Sequence, residues 1–140
     1  MNHILEYEKF TINEGFDMTF YFIDPESYNK SKNEELQKYK NIRFRCDTLY
    51  QLLSSRGLDL LTSSNIKDDN AFGMKGQKVI TDLKKIKDVY NQIKGKEIDQ
   101  DDADDYYGGN IKMMNKDISN LFKFFDNGIK KKWYFTTNWS

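Results

Sequence analysis

A run of alternating side chains at residues 16–23, FDMTFYFI, predicts a β-strand with one fully apolar face. Side chains along an extended chain point alternately to its two sides, so every second residue shares a face. Large apolar side chains occupy one face here: Phe16, Met18, Phe20 and Phe22. The other face carries Asp17, Thr19 and Tyr21. Because an apolar strand face has to be covered, the fold needs at least one further layer.

Two other segments belong with this strand. Residues 4–12 and the turn-forming NEG at 13–15 complete an N-terminal hairpin, which ends before DP at 24–25 because proline cannot donate to a ladder. The tail IKKKWYFTTNWS at 129–140 alternates again, with large side chains on one side: Trp133, Phe135 and Trp139. A lone hairpin is marginal in water, so we expect the tail to add a third strand.

The segment after the hairpin carries apolar residues at the three- and four-residue steps of an amphipathic helix. It begins at Ser31, with Glu34 at capping-box spacing, and Gly57 supplies the stop. Its apolar positions are Leu36, Tyr39, Ile42, Cys46, Leu49 and Leu53. IRFRC at 42–46 also alternates as a strand does, and Thr48 would then cap a shorter helix. We expect the continuous helix, with Cys46 inward as a small buried hydrophobe.

Two more helices follow, over about residues 77–94 and 110–126, and DNG at 126–128 is typical of a helix end. The predicted order is therefore β-β-α-α-α-β. We expect a single α+β domain over 1–140, in which a small antiparallel sheet (the N-terminal hairpin plus the C-terminal strand) is covered on one face by about three helices. A chain of 140 residues is long enough to form such a core.

The composition excludes several kinds of site. Cys46 is the only cysteine and His3 the only histidine, so an intramolecular disulfide and a thiolate zinc site are impossible. A Cys-His or Ser-His-Asp site would depend on His3, close to a frayed terminus. We predict no catalytic residue, no metal and no cofactor, and hence a protein that is not an enzyme.

The compartment is predicted from what the N-terminal region lacks. No basic stretch precedes the apolar run at 16–23, and Asp17 interrupts that run, so we expect neither a signal peptide nor a membrane span. A reducing cytoplasm is the simplest location. The many Lys, Asn, Ile, Tyr and Phe residues are typical of a bacterium with an AT-rich genome, or of its phages.

The segment EIDQDDADDYYGG at 97–109 is strongly acidic. Its first nine residues hold six acids and no base, in a chain whose 22 Lys and Arg balance 22 Asp and Glu. A helix dipole favours acids at its start by only a few tenths of a kcal/mol, which does not require six. Carboxylates beside tyrosines are typical of an interface that steers towards a basic partner and then anchors. The predicted contact residues are Glu97, Asp99, Asp101, Asp102, Asp104, Asp105, Tyr106 and Tyr107. The alternative is a solvated loop.

A metal site is a second interpretation of these acids, because hard cations bind carboxylates two residues apart. An EF-hand loop starting at Glu97 fails, since Asp102 and Gly108 stand where glycine and glutamate are needed. A looser magnesium site, or a two-metal phosphoesterase or nuclease using acids from elsewhere, stays open.

Nucleic-acid binding is a third interpretation. KYKNIRFR at 38–45 interleaves bases and aromatics, and the helix at 77–94 is rich in lysine. The apolar positions already form the inner face of either helix, so a solvated outer face is the simpler explanation, and direct nucleic-acid binding is not expected. The leading hypothesis is a cytosolic protein-binding inhibitor, immunity- or antitoxin-like or phage-encoded, that docks the acidic segment onto a basic surface such as a nuclease cleft.

Overall fold

The structure, a computed structural model, describes residues 17–31, 34–58, 71–73 and 77–139. These ranges contain four strands: β1 Met18–Ile23, β2 Asn41–Arg45, β3 Val79–Ile80 and β4 Tyr134–Trp139. They also contain five α-helices: α1 Pro25–Lys30, α2 Asp47–Ser55, α3 Leu83–Lys94, α4 Gln100–Tyr106 and α5 Ile111–Lys131. Short 3-10 turns lie at Leu36–Lys38 and Ala71–Gly73. The predicted α+β class is confirmed.

The four strands form one antiparallel sheet in the order β2-β1-β4-β3. The predicted C-terminal strand is confirmed, and it lies inside the sheet between β1 and β3, with Phe135 opposite Phe22. β1 is paired on both sides, by β2 and by β4. The first strand predicted for the hairpin, at 4–12, lies outside the described residues.

The continuous helix predicted from Ser31 to Leu53 is wrong. A strand is present as in the alternative, over Asn41–Arg45, but Thr48 lies inside α2 and does not cap it. Backbone hydrogen bonds to the β1 segment bracket β2 at both ends, from Asp24 to Lys40 at 2.9 Å and from Cys46 to Met18 at 2.8 Å. The helix α2 begins only after Cys46. The apolar residues spaced three and four positions apart, which suggested one helix, belong to three elements in the structure: a 3-10 turn, a strand and a helix.

The other two predicted helices exist with different bounds. Residues 79–80 pair with β4 as a short strand, and the helix α3 starts behind Asp82, whose side chain accepts a hydrogen bond from Lys84 N at 2.9 Å. The third helix, α5, continues past the expected end at Gly128 to Lys131. Gly128 packs against the Phe22 ring, so this glycine serves close packing and not helix termination.

The main core lies between one face of the sheet and the longer helices α2, α3 and α5. Met18, Phe20 and Phe22 point into it as the alternation predicted, and all three are buried. Phe125 on α5 stands at the centre, with its ring 5.3 Å from that of Phe135 and 5.1 Å from that of Tyr90. This packing holds the helices against the sheet.

A smaller aromatic cluster covers part of the opposite face of the sheet, and the sequence did not reveal it. Tyr28 of α1, Tyr39 and Phe72 pack their rings together at 5.4–5.7 Å between centroids. They rest on side chains of that face: Tyr21, Ile23 and Val79. In the described ranges, every helix is too short or too polar to span the apolar layer of a membrane.

Candidate functional site

The acidic segment is a helix and not a loop. Asp99 caps the helix α4, because its Oδ1 accepts hydrogen bonds from the backbone N–H groups of Asp101 at 3.0 Å and Asp102 at 3.4 Å. Asp102 Oδ2 accepts in turn from Asp99 N at 3.0 Å, which completes a capping box. Two of the six acids therefore stabilise the start of α4.

Asp102 is buried, with 4% of its surface exposed, and it binds a base from another part of the chain. Arg56, which ends the helix α2, donates from Nε to Oδ1 at 3.0 Å and from Nη2 to Oδ2 at 2.7 Å. Burial acts to raise the pKa of Asp102, but the hydrogen bonds from Arg56 and Asp99 favour the charged form more, and the pKa lies below its ordinary value. Asp102 is thus a structural carboxylate.

The two tyrosines of the segment also contribute to the fold. The Tyr107 hydroxyl donates to Asp117 on α5 at 2.8 Å, and burial followed by this hydrogen bond raises the pKa of Tyr107. Tyr106 is half-buried, and both rings pack against the main core. The polar end of Tyr107 is therefore engaged within the molecule.

Three of the remaining acids lie on one exposed side of α4. Asp104 and Asp105 follow Asp101 by three and four residues, so the three carboxylates share a helix face that we call the acidic face. Glu97 and Asp99 are exposed just ahead of the helix. Asp104 accepts a hydrogen bond from Gln100 at 2.9 Å, and within the described residues none of the three acidic-face carboxylates forms a salt bridge.

A glycine turn joins the acidic helix to α5. Gly108 and Gly109 adopt φ of 59° and 83°, a conformation that favours glycine, and Gly109 N bonds Ala103 O at 2.9 Å. Asn110 then caps α5 through Met113 N at 3.0 Å. The Met113 side chain is 53% exposed at the start of α5.

The carboxylates considered as metal ligands in the sequence analysis are not grouped as a metal site in the described part of the chain. Among the described residues, no group of three or more His, Cys, Asp or Glu side chains is placed to hold a metal ion. Asp99 and Asp102 bind backbone N–H groups, and Asp102 also binds Arg56. Arg56 and Asp102 lie 46 residues apart along the chain, so no local sequence pattern indicated that they pair.

The residues weighed for nucleic-acid binding do not form one mixed surface. In β2 the exposed Arg43 and Arg45 project from the sheet face opposite to the main core, whereas Ile42 and Phe44 pack against that core. Within β2, the two arginines and Phe44 therefore lie on different faces, and Tyr39 is buried in the smaller aromatic cluster. On α3, Lys94 lies over the ring of Tyr90 with its Nζ 4.2 Å from the centroid.

Cys46 is buried as predicted, at the residue before α2 and not inside a helix. Burial first, and then the charges of Asp47 and Asp117, raise the pKa of its thiol. A thiol in this state is a poor nucleophile.

The fold and the candidate site define a small α+β protein that presents a short acidic helix. No protein-family model, no curated protein and no solved structure matches the chain.

Proposed function

We propose that this protein binds a partner protein through the acidic face of α4, and that the partner presents a basic surface to it. The observation that carries the proposal is the position of Asp104 and Asp105 in the last turn of α4. The negative end of the helix dipole lies there and destabilises both charges, against which Asp104 gains one hydrogen bond from Gln100. The helix therefore gains little from the two charges, whereas electrostatic steering of a basic partner would use them.

Two residues of the acidic segment are not assigned to the contact. Asp102 and Tyr107 are engaged with Arg56 and Asp117, so they hold α4 in place. The proposal assigns the contact to the exposed acids and to the half-buried tyrosine at the end of α4: Glu97, Asp99, Asp101, Asp104, Asp105 and Tyr106.

We favour the hypothesis that the protein is an inhibitor. Its target would be a nuclease or another enzyme that acts on nucleic acids. Such enzymes have cationic clefts that accept phosphates, and a row of carboxylates on a helix can occupy a cleft of that kind. An immunity protein, an antitoxin or a phage-encoded blocker would act in this way, and we place the protein in the cytoplasm, where such targets work.

The test compares two variants with the same net charge. One neutralises the acidic face by Asp101→Asn, Asp104→Asn and Asp105→Asn, and the control neutralises three exposed acids elsewhere: Glu26→Gln, Glu35→Gln and Asp88→Asn. The partner is first identified by capture from the native host with the unaltered protein. Association rates are then measured by stopped flow over a range of salt concentrations.

We expect the acidic-face variant to associate at least about tenfold more slowly than the unaltered protein at low salt, with a smaller difference at high salt where charges are screened. The control should associate at nearly the unaltered rate. Equal association rates for the two variants at every salt concentration would overturn the proposal.

A further inference from the structure

Among the described strands, β2 lies at an edge of the sheet, and none of them pairs with its outer side. In an antiparallel pair, residues alternate between those that bond to the neighbouring strand and those that point away from it. Cys46 and Lys40 bond to the β1 side, which fixes the alternation at both ends of β2. The N–H and C=O groups of Asn41, Arg43 and Arg45 therefore point outward, and within the described ranges no hydrogen bond satisfies them.

The side chains of this edge differ between the two faces of the sheet. Arg43 and Arg45 lie on one face; Arg45 bonds to Asp17 and Asp47, whereas none of the salt bridges in the described ranges involves Arg43. On the other face, Ile42 and Phe44 are only partly buried, and the ring of Phe44 lies 5.8 Å from that of Phe124. Within the described ranges, the edge thus combines an arginine outside any salt bridge on one face with partly exposed apolar side chains on the other.

We propose that β2 accepts an extended segment of another protein as a fifth strand, and that acidic and apolar side chains alternate in that segment. Backbone hydrogen bonds to the outward groups would supply affinity, and the alternating side chains specificity. Acidic side chains pair with Arg43 across the strands, and apolar side chains extend the packed surface over Ile42 and Phe44.

A second copy of the chain does not suit this edge. If two β2 strands paired in antiparallel fashion over their full length, Arg43 of one copy would lie directly opposite Arg43 of the other. Like charges in directly opposed positions destabilise strand pairing. The inference is independent of the function proposed for α4, since it concerns other residues and a partner of opposite charge.

The test uses a blocked peptide in which valine and glutamate alternate, with amide hydrogen exchange of the full chain followed by NMR. In the free protein, the amides of Ile42 and Phe44 should be protected by β1 and those of Arg43 and Arg45 should exchange fast. A peptide concentration ten times its dissociation constant should slow exchange at Arg43 and Arg45 by about tenfold, because only the unbound fraction exchanges. Amides of the main core serve as the control, because their exchange rates should be the same with and without the peptide if the fold is unchanged.

Matched peptides distinguish the addition of a hydrogen-bonded strand from electrostatic attraction alone. The added strand is taken to run antiparallel to β2, as the other strands of the sheet do to their neighbours. The glutamates that face Arg43 then also supply the N–H groups that bond to β2, so N-methylation at glutamate should abolish binding and N-methylation at valine should not. Lysine in place of glutamate should weaken binding by about fivefold or more, and Arg43→Glu should reverse this preference.

Three results would overturn the proposal. The first is slow exchange at Arg43 and Arg45 in the free, monomeric chain, which means that the edge is already covered. The second is protection that rises with protein concentration alone, which means that a second copy binds there. The third is equal binding of the peptides methylated at glutamate and at valine.

Discussion

Arg56 holds the carboxylate of Asp102 through two hydrogen bonds, at 3.0 and 2.7 Å, and so ties the end of α2 to the first turn of α4. The arginine keeps 39% of its side chain exposed, whereas the aspartate keeps 5%. Asp102 is the buried member of the pair, so its negative charge needs the positive charge of Arg56. Loss of either residue should therefore destabilise α4 before other parts of the fold. Asp102, a buried acid of α4, thus positions the acidic face on the exposed side of the same helix.

We predict that Asp102→Asn lowers the free energy of unfolding by about 1–3 kcal/mol, because it removes the charge from a buried group that accepts from both Arg56 and Asp99. The control is Asp101→Asn, the same chemical change at the preceding, exposed residue, which should stay within about 0.5 kcal/mol of the unaltered protein. Urea denaturation measures both values. Equal effects of the two variants would mean that the Arg56 pairing contributes nothing to stability.

The same pair predicts how stability depends on pH. The pKa of Asp102 is lower in the folded protein than its ordinary value of 3.8, so its contribution is present at neutral pH and is lost as pH falls below that value. The Asp102→Asn variant should therefore lose less stability than the unaltered protein between neutral pH and pH of about 3. Thermal unfolding across this range measures the difference, and parallel curves for the two proteins would contradict the prediction.

Charges at the two ends of α4 should have opposite effects on stability. Asp104→Asn together with Asp105→Asn should raise the free energy of unfolding by about 0.3–1 kcal/mol, because two carboxylates leave the negative end of the helix dipole. Asp101→Asn, in the first turn, should lower it slightly. Denaturation at low and high salt measures both effects, which should shrink with added salt. A stabilising effect of Asp101→Asn equal to that of the pair would exclude the dipole as the cause.

The parts of the fold that the sequence predicted are those in which one local pattern has a single interpretation. The alternation in β1 and β4 predicted two strands of one sheet, and the structure pairs them with Phe22 opposite Phe135. Residues 42–46 fit both a helix and a strand by local pattern. The pairing of this segment with β1 decided in favour of the strand. That pairing joins residues more than twenty positions apart in the sequence, such as Phe20 and Phe44.

The candidate site was predictable only as a region of charge. Composition located the acids, but the burial of Asp102 depends on Arg56, and the role of Tyr107 depends on Asp117 after the glycine turn. Neither pairing leaves a local signal. The helical form of the segment does have one, since Asp99 and Asp102 stand at capping-box spacing with aspartate in place of glutamate.

Cys46 should react slowly with thiol reagents in the folded protein, because it is buried and its thiol pKa is raised. Cys46→Ala should lower the free energy of unfolding by about 1–2 kcal/mol through lost burial and leave partner binding intact. Labelling kinetics with and without denaturant measure the protection. Labelling of the native protein as fast as that of the unfolded chain would place the thiol at the surface.

Gly128 should be intolerant of a side chain although it lies within a helix. An added Cβ would overlap the ring of Phe22, which is fully buried among Phe124, Phe125 and Phe135 and has no free space to move into. Gly128→Ala should therefore lower the free energy of unfolding by about 1–3 kcal/mol, in spite of the better helix propensity of alanine. Chemical denaturation provides the measurement.

The control for Gly128 is its exposed neighbour. Asn127→Ala makes a similar gain in helix propensity without meeting the sheet, so stability should be kept or slightly raised. Phe22→Leu combined with Gly128→Ala should lose less stability than the sum of the single changes, because a smaller side chain leaves room for the added methyl group. Additive losses, or a Gly128→Ala variant as stable as Asn127→Ala, would show that α5 does not press on Phe22 at this point.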